Sequence, residues 1–201
     1  MHCTRIAIVA LLVAYAFAIP ARAQEFSAIG VARDTTGHVV KSKVYTSGGK
    51  VRTDPQETGT ASEQAYVILD LVQQTATVVN VGQKSYTQQT PVQARQSIQF
   101  YAASASPCPP AGAICKDDGS ETLSGRNAEK WEISQSMQGQ TLLTRVWVDT
   151  KLHVWIKTEV IAGTTLVLSN ELQDIQEAPQ PASLFIIPPG FREMTLPRRG
   201  G

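Results

Sequence analysis
Apolar and polar side chains exchange places residue by residue along much of this chain. Val40, Ser42, Val44 and Thr46 alternate with Val39, Lys41, Lys43 and Tyr45. A period of two is the spacing of a strand that turns one face toward a core. The same period returns at Trp131 and Ile133 against Lys130, Glu132 and Ser134, and at Leu142, Val146 and Val148. In residues 152–160, Leu152, Val154, Ile156 and Val160 oppose His153, Trp155, Lys157 and Glu159. Tyr66 to Leu71 is a near-continuous apolar run, suited to a central strand buried on both faces, and Thr75 to Val81 is β-branched. Turns are marked by Asp34-Thr-Thr-Gly37, Gly48-Gly49, Gly82, Gly139 and Ala162-Gly163. The count is about ten strands, spaced as in a sandwich or barrel. Their short connections impose antiparallel neighbours, because a parallel crossover needs a dozen residues or more.

Three stretches break the pattern. Residues 54–63 are a polar loop. Residues 91–101 are the one helix candidate, with Pro91 at a first helical position and a partial stripe from Val92, Arg95, Ile98 and Phe100. Residues 102–120 are rich in Ala, Ser, Pro and Gly and read as loop. Near the end, Pro179, Pro181, Pro188 and Pro189 exclude further ladder strands. Leu184, Phe185, Ile187 and Phe191 then read as plugs for an open end of the core, and residues 197–201 as a solvated tail.

Composition agrees with one mainly β domain, since 201 residues suffice for one real core and long runs of helix formers are missing. Residues 1–23 carry an export signature. Arg5 precedes an apolar run from Ile6 to Ile19, and Ala21-Arg22-Ala23 offers a small-residue cleavage site before Gln24. The run is shorter than the roughly 20 residues a membrane-spanning helix needs. Cleavage after Ala23 would remove Arg5 and Arg22 and no acid, turning the formal charge from +1 to −1. A chain so balanced has no electrostatic footprint for nucleic acid. The expected layout is a signal peptide at 1–23, one mainly β domain at 24–196 and a tail at 197–201, in a periplasmic protein.

Cys108 and Cys115 are the cysteines left after cleavage, and an oxidising compartment predicts a disulfide between them. With His38 and His153 as the remaining imidazoles, no metal-ligand spacing appears. Neither a nucleophile elbow nor a H-E-x-x-H pattern is present. Asp117-Asp118-Gly119 lacks the further oxygen ligands of a cation loop. The expectation is a protein that is not an enzyme and takes no cofactor. Trp131, Trp147 and Trp155 are the residues most suited to an amphipathic ligand, although Trp in β-proteins is commonly core. Trp155, alternating in phase with His153, Lys157 and Glu159, is the expected exposed aromatic.

Residues 68–86 (ILDLVQQTATVVNVGQKSY), 125–133 (GRNAEKWEI) and the closing stretch from Trp147 to Met194 resemble secreted bacterial proteins of the outer-membrane lipoprotein-carrier-like (LolA/LolB-like) fold. The likeness is to branches known only as domains of unknown function, and it covers most of residues 25–195. The ending around Leu184-Phe185 and Pro189-Gly190-Phe191 is its most specific piece. The resemblance implies an open, strongly curved antiparallel sheet whose concave apolar face is lidded by helices. In the carriers that cavity holds lipoprotein acyl chains, and an arginine followed by proline on an early strand latches the lid. The nearest match here is Arg52 in Arg52-Thr-Asp-Pro55, with two residues between. An apolar or lipid-like ligand, or a lipoprotein, is thus the expected partner, with an envelope protein segment as the alternative.

Overall fold
The computed structural model describes residues 24–56, 65–99, 101, 107–108, 112–137 and 139–195. The export segment at 1–23 and the tail at 197–201 lie outside the described residues. Among the described residues, twelve strands and one α-helix follow in order: β1 (Phe26–Asp34), β2 (Val39–Ser47), β3 (Lys50–Pro55), β4 (Ala65–Asp70), β5 (Thr75–Asn80), β6 (Ser85–Gln88), α1 (Pro91–Gln99), β7 (Ala113–Leu123), β8 (Arg126–Met137), β9 (Gln140–Asp149), β10 (Trp155–Ala162), β11 (Thr165–Glu177) and β12 (Arg192–Glu193).

All twelve strands join in one sheet, ordered β12-β6-β5-β4-β3-β2-β1-β11-β10-β9-β8-β7. It is two antiparallel meanders sewn together by the β1–β11 ladder, where Gly30 faces Leu172 and Val31 faces Glu171. This is the open, curved antiparallel half-barrel with few helices expected from the sequence. One strand departs from the antiparallel rule: β12 pairs parallel with β6, Arg192 opposite Ser85. The prolines before it imply an end to all ladder pairing, yet none occupies the two residues that pair.

Directly paired residues share a face of the sheet, so register traces that face strand by strand. Ala76 lies opposite Leu69, Leu69 opposite Val51, Val51 opposite Thr46, and Thr46 opposite Phe26. Alternation along β1 carries the same face from Phe26 and Ala28 to Ala32. From Ala32 it passes to Asn170, Thr158, Val146 and Trp131. Phe26, Ala28, Val44, Val51, Leu69 and Ala76 belong to the main buried cluster, which Ala94 of α1 joins and which runs on through Leu172, Ile156, Val154, Leu152, Ala128 and Trp147. The helix therefore lies on this face, over β4 and β5. Burying the larger of these side chains, Phe26, Val44, Val51 and Leu69, contributes about 1.5–3 kcal/mol each.

Helix α1 starts where Pro91 places it. Thr90 precedes it as a cap: the Gln93 amide donates to Thr90 Oγ1 at 3.4 Å, and the Thr90 amide donates back to Gln93 Oε1 at 3.1 Å, the reciprocal pattern of a capping box. Among its described side chains, contact with the core comes from Ala94, while Val92 of the expected stripe is 58% exposed; the Ile98 and Phe100 side chains lie outside the described residues. Three further expectations change. Residues 113–120, read as loop, belong to β7, because pairing with β8 overrides their Gly and Asp content. Residues 152–154 form a turn rather than the start of a strand, with His153 at φ 53. At β10, Trp155 lies opposite Val148 and Lys157 opposite Trp147, a bulge that shifts the alternation read from sequence.

Candidate functional site
The helix-bearing face gathers a second apolar cluster on the β7–β10 wing. Ile133, Val146, Val148 and Trp155 are buried there, with Trp131, Ala113 and Cys115 packed against them. Trp155, expected to be exposed, is 8% exposed. The bulge takes it out of phase with Lys157 and Glu159 and sets it beside Val148. Trp131 is half-buried, and its indole Nε1–H is shut off from solvent without a hydrogen-bond partner among the described residues. Leaving such a donor unmet costs about 1–3 kcal/mol. The Cys108–Cys115 disulfide, with Cα atoms 5.9 Å apart, anchors the chain at the rim of this cluster. On the same face, away from α1, Val40 and Leu168 are 43% and 39% exposed; Val40 pairs with Ala32, and Leu168 with Asp34 and Val160.

By register Trp147 turns to the opposite face, between Lys130 and Lys157, yet it is packed into the main buried cluster with Ile156 and Leu172. The Lys157 ammonium lies 4.5 Å and the Lys130 ammonium 5.7 Å from its ring centroid, and its Nε1–H donates to Glu121 Oε2 at 2.8 Å. Around it runs a charged lattice. Lys130 pairs with Asp118, Arg145 with Glu132 and Glu159, and Lys157 with Glu159. Hydrogen bonds from Lys130 and Lys116 hold the Asp118 carboxyl below its ordinary pKa. Trp147 is a covered aromatic under paired charges, 4% exposed.

Arg52 is also on that opposite face, in β3, facing Tyr45 and Ile68. It donates from Nε and Nη2 to the two carboxylate oxygens of Asp54, stacks 3.7 Å above the Tyr66 ring, and donates from Nη1 to the Leu184 carbonyl at 3.2 Å. Burial pushes the Tyr66 hydroxyl up, and the Arg52 charge opposes that shift. Tyr66, Ile68 and Val79 form a third buried cluster with Tyr86, Ile187 and Phe191. A cleft of about 250 Å³ opens beside Arg52, Asp54 and Tyr66.

The structure thus brings Trp131 and Trp155 together and keeps Trp147 and Arg52 apart from them. A group that sequence reasoning does not single out is Asp149 with Arg126, Glu177 and Lys151. Asp149 is 1% exposed; Arg126 grips both its oxygens, and Asp149 Oδ1 accepts the amides of Lys151 and Leu152. Burial would raise the Asp149 carboxyl, but the Arg126 bond and those amides outweigh it and hold it below the ordinary value. The group flanks a cleft of about 460 Å³ between the β7–β8 turn and β11, floored by Ile156 and Leu172. The only signal in the sequence is the Asp149-Thr150-Lys151 turn; nothing links it to Arg126, 23 residues earlier. Among the described residues no group of three His, Cys, Asp or Glu side chains could hold a metal ion, and no helix is long and apolar enough to cross a membrane.

No family model and no curated protein matches the chain. Solved structures do. An uncharacterized conserved protein from Thermus thermophilus is 9% identical, with 87% of this chain and 91% of that one covered and a TM-score of 0.57. MucB, from the Pseudomonas aeruginosa MucA/MucB complex, is 13% identical with a TM-score of 0.52; 82% of this chain is covered but only 56% of that one, so the chain spans about half of MucB. A LolA superfamily protein from Nitrosomonas europaea is 9% identical, with 83% and 91% covered and a TM-score of 0.36. The fold is the one shared with the Thermus protein and with MucB. At these identities the likenesses concern fold alone.

Proposed function
We propose that this is an exported, non-catalytic binding protein of the cell envelope, released from its signal peptide after Ala23. It holds a lipid-like or otherwise apolar molecule on the helix-bearing face of the half-barrel. The observation that carries this reading is the continuity of that face. It runs by register from Ala76 to Trp131, α1 covers its β4–β5 end, and Val40 and Leu168 meet solvent beyond. Monomers rarely leave contiguous apolar surface bare unless something binds there. Half-buried Trp131 offers the ligand an aromatic body.

Native mass spectrometry on protein purified from the periplasm without detergent tests this reading. A discrete adduct of acyl-chain mass, lost in Trp131→Ala, is expected. A clean mass equal to residues 24–201 less two hydrogens would confirm cleavage and disulfide while removing the carried ligand.

A second reading, capture of an envelope protein segment, is favoured by the likeness to MucB, which was solved in complex with MucA(peri). Cross-linking in intact cells followed by peptide identification tests it. A reproducible envelope partner is expected, and recovery of the monomer alone would count against it.

A further inference from the structure
The face opposite α1 already has a peptide on it, and that peptide belongs to the chain itself. After β11 ends at Glu177, residues 178–181 run exposed or half-exposed through Pro179 and Pro181. A single 3₁₀ turn, Ala182–Phe185, then lies against β3. Phe185 is the one buried side chain of this strap, at 7% exposure. Ile187 and Phe191 pack on Tyr66, Ile68 and Val79, and all three of these sit on β4 and β5.

Polar contacts fix its register. Arg52 Nη1 donates to the Leu184 carbonyl at 3.2 Å. The Arg192 amide donates to the Lys84 carbonyl at 3.0 Å, and the Met194 amide to the Tyr86 carbonyl at 2.7 Å. The last two bonds occupy the outer edge of β6, which has no other neighbour in the sheet among the described residues. A ladder of two residues is short for a strand, whose usual length is about five or six.

We propose that this face is a strand-acceptor groove, and that the strap is a resident segment which an extended segment of a partner protein replaces. The strap states the chemistry the groove accepts. It needs a backbone able to pair parallel with β6, a carbonyl for Arg52, and large apolar side chains at the positions of Phe185, Ile187 and Phe191. Main-chain pairing to a sheet edge supplies affinity, and pockets for alternate side chains supply selectivity. One buried side chain, the packing of Ile187 and Phe191 and a few hydrogen bonds hold the strap, so it can open locally at less cost than the whole fold. This deepens the protein-segment reading and is independent of the apolar ligand on the other face.

The test is the full chain with a protease site placed in residues 178–181, cleaved after folding. A fluorescent peptide of residues 182–195 is then added, and exchange is followed by anisotropy while circular dichroism reports the fold. The expected result is a cleaved protein that stays folded and exchanges its strap for the labelled peptide. A peptide carrying Phe185→Ala should bind about tenfold more weakly, as expected for removal of a buried anchor. Arg52→Gln should speed release about tenfold, the scale of one hydrogen bond to a charged group. A folded, cleaved protein that exchanges nothing over a day would overturn the proposal, and so would a chain that unfolds on cleavage, since the strap would then be core. Either result would leave cross-linking to a partner elsewhere on the sheet as a separate question.

Discussion

Arg126 holds Asp149 by both carboxylate oxygens at the point where β9 ends, in a place closed to solvent. The same carboxylate caps the turn through the amides of Lys151 and Leu152, while Arg126 and Lys151 reach Glu177 at the end of β11. One buried charge thus ties β8, the β9–β10 turn and β11 together. Arg126→Met should lower stability by about 3 kcal/mol, because it strands Asp149 without its partner. Urea unfolding measures this, and a loss under about 1 kcal/mol would show that the amides alone satisfy the carboxylate.

Acid should attack the same group. Asp149 and Glu177 both sit below their ordinary pKa in the folded protein, Glu177 chiefly through its bond from Lys151. A group whose folded pKa is depressed contributes stability above its unfolded value, about 4 for these carboxyls. That contribution is lost as pH falls from there through the folded value. The melting temperature should therefore hold level from pH 8 to about 5 as far as these groups are concerned and fall below about 4. Arg126→Met should show a shallower acid limb than the parent.

Trp155→Ala should cost about 3 kcal/mol or more, as truncations of buried aromatics do. Trp147→Ala should cost a similar amount, since that ring belongs to the main buried cluster. Thermal unfolding of the two variants, set beside ligand binding, separates packing from recognition. A Trp155→Ala protein as stable as the parent would place that ring at the surface after all.

Reduction of the Cys108–Cys115 bridge, seven positions apart in sequence, should lower stability by about 2 kcal/mol on loop-entropy grounds. Melts with and without dithiothreitol measure the effect. The larger consequence should be local, with faster amide exchange at Cys115 and Ile133 than in β1.

Alternation makes most strands legible because each has one face on a core, and Val44, at 0% exposure amid Lys41 and Lys43, is a clear instance. Residues 113–120 stay hidden because β7 is the outer strand, where charge replaces apolar alternation. Lys116, Asp117 and Asp118 on an edge discourage pairing with other chains, and they also remove the signal that marks a strand. Trp155 is misplaced by one bulge, since a single extra residue inverts every side chain after it. The Arg52 contacts are legible only as a residue type. Its partners Tyr66 and Leu184 lie far along the chain, and spacing carries no trace of them.

The seam between β1 and β11 has a consequence in time. Each meander can pair locally as it emerges, but the sheet has no centre until its last long strand meets its first, across about 140 positions of chain. Until Thr165–Glu177 is available, β1 keeps one edge open and Phe26 and Ala28 lack half their cover. A chain wired this way stays unfinished through most of its length, and it locks only once nearly all of it is available.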